Sequence, residues 1–348
     1  MKYEYVAIWL GLVCMGVGCK TETRAPVESA APKPVITYPA MGKLERLDPQ
    51  FDALIPPTAT IERLAEGYDW SEGPVWMRAG GYLLFSDVPK NTVYSWKEGD
   101  GAREFLKPSG YTGARARGGE PGSNGLTVDS QGRLVLCQHG DRRVSRLELD
   151  REFTALAEFF ERRRFNSPND IVFKSNGDFY FTDPPYGLEK LNDDPDKELA
   201  FNGVYRVRPS GEITLLVKHL TFPNGIAFSP DERILYVAIS DPNRPVIMAY
   251  EVQPDGTLDY ERVFFDAKSL MPGRKGLPDG LKVDVAGNVF ATGPGGVLVI
   301  SPAGVHLGTI NTGEATANCG WGDDGSVLYI TADMYLCRIR TTTRGRIP

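Results

Sequence analysis

At 348 residues the chain can bury a large core, as one big domain or as two ordinary ones. Apolar residues make up 41%, charged residues 24%, and the net charge is −6, so there is no electrostatic case for nucleic acid or for an anionic membrane surface as partner. The 38 glycines and 26 prolines suit many short strands joined by turns.

The first element in the chain reads as an address. Lys2 precedes an apolar stretch at 6–19, which at 14 residues is too short to span a bilayer and suits the core of a signal peptide. It ends Gly16-Val17-Gly18-Cys19, which resembles a bacterial lipoprotein cleavage site with Cys19 as the lipidated residue; Gly16 stands where such sites usually carry Leu. Plain secretion is the alternative. Residues 20–45 are rich in Ala, Pro, Thr and Glu near their start and are expected to form a flexible tether. The expected organisation is therefore a signal peptide at 1–19, a tether at 20–45 and one domain at 46–348. The location it implies is the periplasm or cell envelope, with membrane contact only through the lipid.

From residue 72 onward one pattern recurs. Asn124-Gly-Leu-Thr-Val-Asp-Ser-Gln-Gly-Arg-Leu-Val-Leu-Cys returns as Asn169-Asp-Ile-Val-Phe-Lys-Ser-Asn-Gly-Asp-Phe-Tyr-Phe-Thr, again from Asn224, and again from Asp279. Looser copies start at Glu72 and Asn318. In each unit a polar residue opens a short strand with apolar residues at alternate positions, then a tight turn, then a nearly continuous apolar run. Third and fourth strand candidates follow, such as 204–207 and 213–217. The starts are separated by 52, 45, 55, 55 and 39 residues, close to the roughly 40–50 that a propeller blade needs. An all-β fold is predicted: a six-bladed β-propeller of four-stranded antiparallel blades around a central metal site. Helical patterning is weak, with a turn or two expected only within 152–164. The strands near 336–341 leave the last blade short, and 58–64 is expected to complete it. Cys14 and Cys19 lie in the leader; Cys137, Cys319 and Cys337 stand at no metal-ligand spacing and read as buried free thiols.

Innermost strands run along the central channel, so Glu72, Asn124, Asn169, Asn224, Asp279 and Asn318 are expected to point six oxygen donors at one volume. Asn-Gly and Asp-Gly are also common turn dipeptides, which is the plainer explanation for any one of them. Six in register, two of them carboxylates, are costly to crowd together unless a cation satisfies them. Calcium accepts carboxylates, amides and water together, whereas His139, His219 and His306 are scattered and give no zinc cluster.

With Ser71-Glu72-Gly73-Pro74-Val75-Trp76, Ser167-Pro168-Asn169-Asp170, Pro223-Asn224-Gly225 and Pro278-Asp279-Gly280-Leu281 in this order, the chain resembles the gluconolactonase, regucalcin and senescence-marker-protein family of six-bladed propellers, related to the calcium-dependent phosphotriesterase propellers. The resemblance covers about residues 64–340. It implies a divalent metal, calcium first, with Zn2+, Mg2+ or Mn2+ as alternatives, bound by Glu72, Asn224 and Asp279. Asn169 then serves as a fourth ligand or a substrate contact, and Asp279 also as proton acceptor. Where regucalcin has an Arg two residues before that Asn, this chain has Ser167.

The expected chemistry is hydrolysis of a sugar lactone such as gluconolactone, with the metal polarising the carbonyl. Asn124 and Asn318 are expected to bond sugar hydroxyls at the rim, and His139 to contact substrate near the channel mouth or else to fix a loop. Lys275 and Arg274 would attract an acidic sugar or merely occupy a solvated loop, and Tyr186 and Trp321 would wall the pocket or pack in the core. Rival readings are another metal-dependent ester or phosphotriester hydrolase, a quinone-dependent sugar dehydrogenase, and a non-catalytic binding propeller.

Overall fold

The repeated apolar runs become strands because each is covered by the repeats on either side. The structure is a computed structural model that describes residues 36–348 other than Ala116, together with Met1, Lys2, Glu4 and Ala7. The signal-peptide and lipidation expectations, and most of the tether, lie outside the described residues.

The first sheet runs Ser71–Met77, Tyr82–Asp87, Thr92–Lys97, Gly101–Leu106, and the second Ser123–Val128, Leu134–Gln138, Arg143–Leu147, Phe153–Ala157. The third is Ile171–Phe173, Phe179–Asp183, Asn202–Val207, Ile213–Leu220, and the fourth Pro223–Phe228, Ile234–Ile239, Val246–Val252, Leu258–Asp266. Leu281–Val283, Val289–Gly293, Gly296–Ile300 and His306–Asn311 make the fifth. Thr316–Gly322, Val327–Ala332 and Tyr335–Arg340 give the sixth only three strands of its own, and Ile61–Glu66 pairs antiparallel with Tyr335–Arg340 to supply the fourth. The start of the domain thus closes the ring of a six-bladed β-propeller, as the short last repeat predicted.

Two expectations need correction. The propeller begins before residue 46, because Ala40–Met41 pairs with Ile61–Glu66 and Lys43–Arg46 with His306–Asn311, so the unit runs Tyr38–Pro348. Tyr38 is what composition hid: its ring lies 6.1 Å from that of Trp96 and takes the Arg338 guanidinium at 5.0 Å. The second correction concerns 152–164, which is not helical. Phe153–Ala157 is the outer strand of the second blade, and Phe159–Phe160 pairs with Arg163–Arg164 around Glu161 and Arg162, whose φ of 49° and 67° make a tight hairpin turn.

Between blades the core is apolar and aromatic. Trp76 of the first blade stacks on Tyr329 of the sixth at 5.6 Å and 18°, joining the two ends of the ring. The inner strands Ser71–Met77, Ser123–Val128, Pro223–Phe228 and Thr316–Gly322 are buried along nearly their whole length, so the hub is closely packed.

Candidate active site at the hub

Five of the six repeat-start residues, Glu72, Asn124, Asn169, Asn224 and Asp279, line one cavity of about 540 Å³. Backbone irregularity turns them inward. The pairing of inner to second strand slips between Glu72 and Val75, Ser123 and Leu126, Pro223 and Ile226, and Thr316 and Asn318, and a bulge of this kind re-aims the side chain it carries. In the third and fifth blades regular pairing starts only after the polar residue, at Ile171 and Leu281. The Asn-Gly pairs are not turns. A Cβ at Gly225 would sit 2.1 Å from the Asp279 carbonyl oxygen and one at Gly125 2.6 Å from that of Asn169, so glycine is what lets neighbouring inner strands converge.

A second repeated signal holds the ring together. Hydroxyls at the ends of second strands reach the next blade's inner strand: Ser86 Oγ donates to Asn124 O at 3.0 Å, Thr182 Oγ1 to Asn224 O at 2.7 Å, Ser240 Oγ to Pro278 O at 2.5 Å and Thr292 Oγ1 to Ala317 O at 3.0 Å. In three of these blades an Asp follows. Asp183 accepts the Asn166 and Ser167 N–H groups, each at 2.8 Å, and so fixes the approach to Asn169; burial pushes its carboxyl up to about 7 against those two donors. The recurrent Ser/Thr-Asp pairs at 86–87, 182–183 and 240–241 were legible in the sequence and carry this function.

The donor set is oxygen-rich and under-satisfied. Glu72 spends Oε2 on Gly73 N at 2.9 Å and Asn318 Nδ2 at 3.2 Å. Asn224 donates its Nδ2 to Ser240 Oγ at 3.0 Å. Asn124 Oδ1, Asn169 Oδ1 and Asp279 Oδ1 are shut off from solvent with no hydrogen-bond partner. Three orphaned oxygens on one wall, beside a Glu carboxylate, fit a hard cation, which takes carboxylate and amide oxygens together. Among the described residues no group of three or more His, Cys, Asp or Glu stands together as a metal-ligand cluster, so the amide oxygens would have to complete any cation site. Burial pushes Glu72 up to about 8, opposed by the Gly73 N–H and reinforced by Asp170 and Glu120. Asp279 lies well above the usual carboxylate range, again through burial and then through the charges of Glu72, Glu120 and Asp170.

Two expected substrate contacts are not on the wall. Asn318 is 2% exposed and turns its amide to Glu72, so it orients a carboxylate rather than meeting a sugar at the rim. His139 is fully buried behind Asn169, with Nε2 at 3.4 Å from Asn169 Nδ2 and Nδ1 at 3.3 Å from Glu120 Oε2, the latter at ion-pair distance without hydrogen-bond alignment. An Asn169 amide that faces His139 with its nitrogen leaves Oδ1 without a hydrogen-bond partner. Ser167 is also off the wall: its hydroxyl donates to Pro184 O at 2.6 Å and accepts from Gly187 N at 2.9 Å, tying down the turn that carries Tyr186. Tyr186 does line the cavity, stacked on Phe222, whereas Trp321 packs edge-on against Phe290 in the core. Lys275 pairs with Glu314 and Arg274 with Glu45, and none of the four lines the cavity. Cys137, Cys319 and Cys337 are free and buried, as expected.

Glu120 was not singled out in the sequence. It lines the cavity from the loop before Ser123–Val128, outside every repeat, where no register marks it.

The family model described as the SMP-30/gluconolactonase/LRE-like region matches residues 70–333. A gluconolactonase from Zymomonas mobilis is 38% identical over 346 residues, 96% of each chain. The solved structure of a gluconolactonase from Xanthomonas campestris aligns with a TM-score of 0.76 at 32% identity, over 90% of this chain and 99% of that one. Regucalcin from Agrobacterium tumefaciens, a calcium-binding protein, shares the fold with a TM-score of 0.65 at 18% identity, over 82% of this chain and 95% of that one. Hub, bulged inner strands and the matched span agree: this chain belongs to the SMP-30/gluconolactonase family of six-bladed propellers.

Proposed function

We propose that the chain is a lactonase that hydrolyses a sugar lactone, gluconolactone being the first candidate, with a divalent cation held by Glu72, Asn169, Asn224 and Asp279. The observation that carries this reading is the set of three unpartnered oxygens, Asn124 Oδ1, Asn169 Oδ1 and Asp279 Oδ1, at a cavity that Glu72 also lines. The named activities of the relatives in Zymomonas and Xanthomonas support the lactone. A bound cation would supply Lewis acidity at the lactone carbonyl oxygen, and calcium suits this donor set best.

The chain's own residues do the rest. Asp279 accepts the proton of the attacking water through its carboxylate. Burial and the neighbouring carboxylates raise its proton affinity, which favours a general base, while a bound dication would act in the opposite direction. Asn124, on the same cavity, contacts the substrate. Asn318 keeps Glu72 in place, and His139 keeps Asn169 in place.

The test is gluconolactone hydrolysis by chelated protein, by calcium-restored protein and by Asp279→Asn. Chelation should abolish turnover and calcium should restore it; a rate indifferent to chelator sinks the metal-dependent reading. We also infer export with Cys19 as the lipid attachment site. Cys19→Ala should move the protein from the membrane fraction to the soluble one, and an unchanged distribution rejects the anchor.

A further inference from the structure

Glu120 faces the cavity beside two carboxylates, Glu72 and Asp279, and among the described residues no Lys or Arg lines that cavity. The cations nearby are spent elsewhere. Arg117 donates to the carbonyls of Gly140 and Gly187, Lys275 pairs with Glu314, Arg274 with Glu45, and Lys90 with Asp69 and Asp87. Glu120 has a buried neighbour. His139 Nδ1 stands 3.3 Å from its Oε2, and the same ring faces Asn169 through Nε2 at 3.4 Å, so one buried imidazole spans the rim carboxylate and the hub amide. The Glu120 side chain remains about one-third exposed, at 34%, which leaves it available to a ligand.

We propose that Glu120 is the specificity-determining residue of this cavity: it accepts hydrogen bonds from hydroxyls of a neutral polyol lactone and repels lactones that carry an anionic group, with His139 as its positioning residue. This rests on the lactonase reading. A bound dication would offset the two carboxylates at the hub, whereas the third, at the mouth, has no compensating side-chain cation on the wall among the described residues. An incoming phosphate or carboxylate would therefore meet uncompensated like charge, which acts as a filter against the wrong substrate. A neutral hydroxyl meets a charged acceptor instead, which makes a strong hydrogen bond.

The experiment compares kcat/KM for gluconolactone and for its phosphate monoester, using full-length calcium-loaded wild type, Glu120→Gln, His139→Gln and the double variant. Wild type should prefer the neutral lactone strongly, and raising the salt should weaken that preference. Glu120→Gln should raise the anionic-to-neutral ratio by about tenfold or more, mainly through KM. His139→Gln should shift the same ratio in the wild-type background and leave it unmoved in the Glu120→Gln background; a merely structural histidine would lower kcat equally in both. An unchanged ratio in a Glu120→Gln protein that still hydrolyses gluconolactone overturns the proposal alone. Wild type that hydrolyses neither lactone overturns the lactonase reading and this proposal with it.

Discussion

Glu72 and Asn224 stand on bulged inner strands whose neighbours are fixed by Ser and Thr hydroxyls, each a few ångströms from a carbonyl of the adjoining blade. Glu120 and Leu277 reach the same cavity from loops between blades and Tyr186 from a loop within the third blade, with local neighbours such as His139 beside Glu120 and Phe222 stacked on Tyr186. The hub wall therefore owes its geometry to the register of six sheets, while the rim owes its geometry to local ties. This division suits their chemistry. Holding a cation and a proton acceptor demands fixed oxygens, and selecting a substrate tolerates, and even uses, adjustable loops.

Breaking the hub should cost most. Asp279→Asn keeps the shape of the side chain and removes its basicity, so kcat should fall by about 10²–10⁴-fold with the circular dichroism spectrum unchanged. Gly225→Ala drives a methyl group to 2.1 Å from the Asp279 carbonyl oxygen. It should lower stability by roughly 1–3 kcal/mol and weaken cation binding as the fourth and fifth blades separate, measured by thermal melts with and without calcium. Thr182→Val deletes the hydroxyl that bonds Asn224 O at 2.7 Å and leaves that buried carbonyl short of a partner, at a cost of about 1–3 kcal/mol in the same melts.

A pH series sharpens the comparison. The folded Glu72 carboxyl, raised to about 8, lies above its unfolded value of 4.5. In chelated protein its stabilising share is thus full below about 4.5 and is lost as pH rises through about 8. A cation binds the deprotonated form, so the rise in Tm on adding calcium should grow from pH 6 to pH 9. A calcium increment that is flat across that range would contradict ligation by Glu72. Smallest of all, Lys275→Ala removes an exposed pairing with Glu314, neither residue lining the cavity, and should leave both Tm and lactone turnover where they were.

Much of the hub was legible because repetition makes register visible. Six polar starts at near-constant spacing placed five residues on one wall, and the missing strand of the last blade was found at Ile61–Glu66. Where a residue's role depends on which way its side chain turns within a bulge, spacing is silent. Asn318 shares the repeat position of Asn224 yet bonds Glu72, and His139 follows a strand end yet lies behind Asn169. Glu120 sits on a loop with no counterpart in other repeats, so no pattern could expose it. The strands Ala40–Met41 and Lys43–Arg46 were hidden in tether-like composition, since pairing at a sheet edge asks little of sequence beyond a few anchors such as Tyr38.

The most direct measurement is calorimetric titration of calcium into chelator-stripped full-length protein, run beside Glu72→Gln and Asp279→Asn. One divalent ion should bind per wild-type chain, with affinity falling at least about tenfold in each variant. Stripped wild type that takes up no divalent ion, or variants that bind it as tightly as wild type, would contradict the placement of a cation among the converging oxygens of the propeller axis.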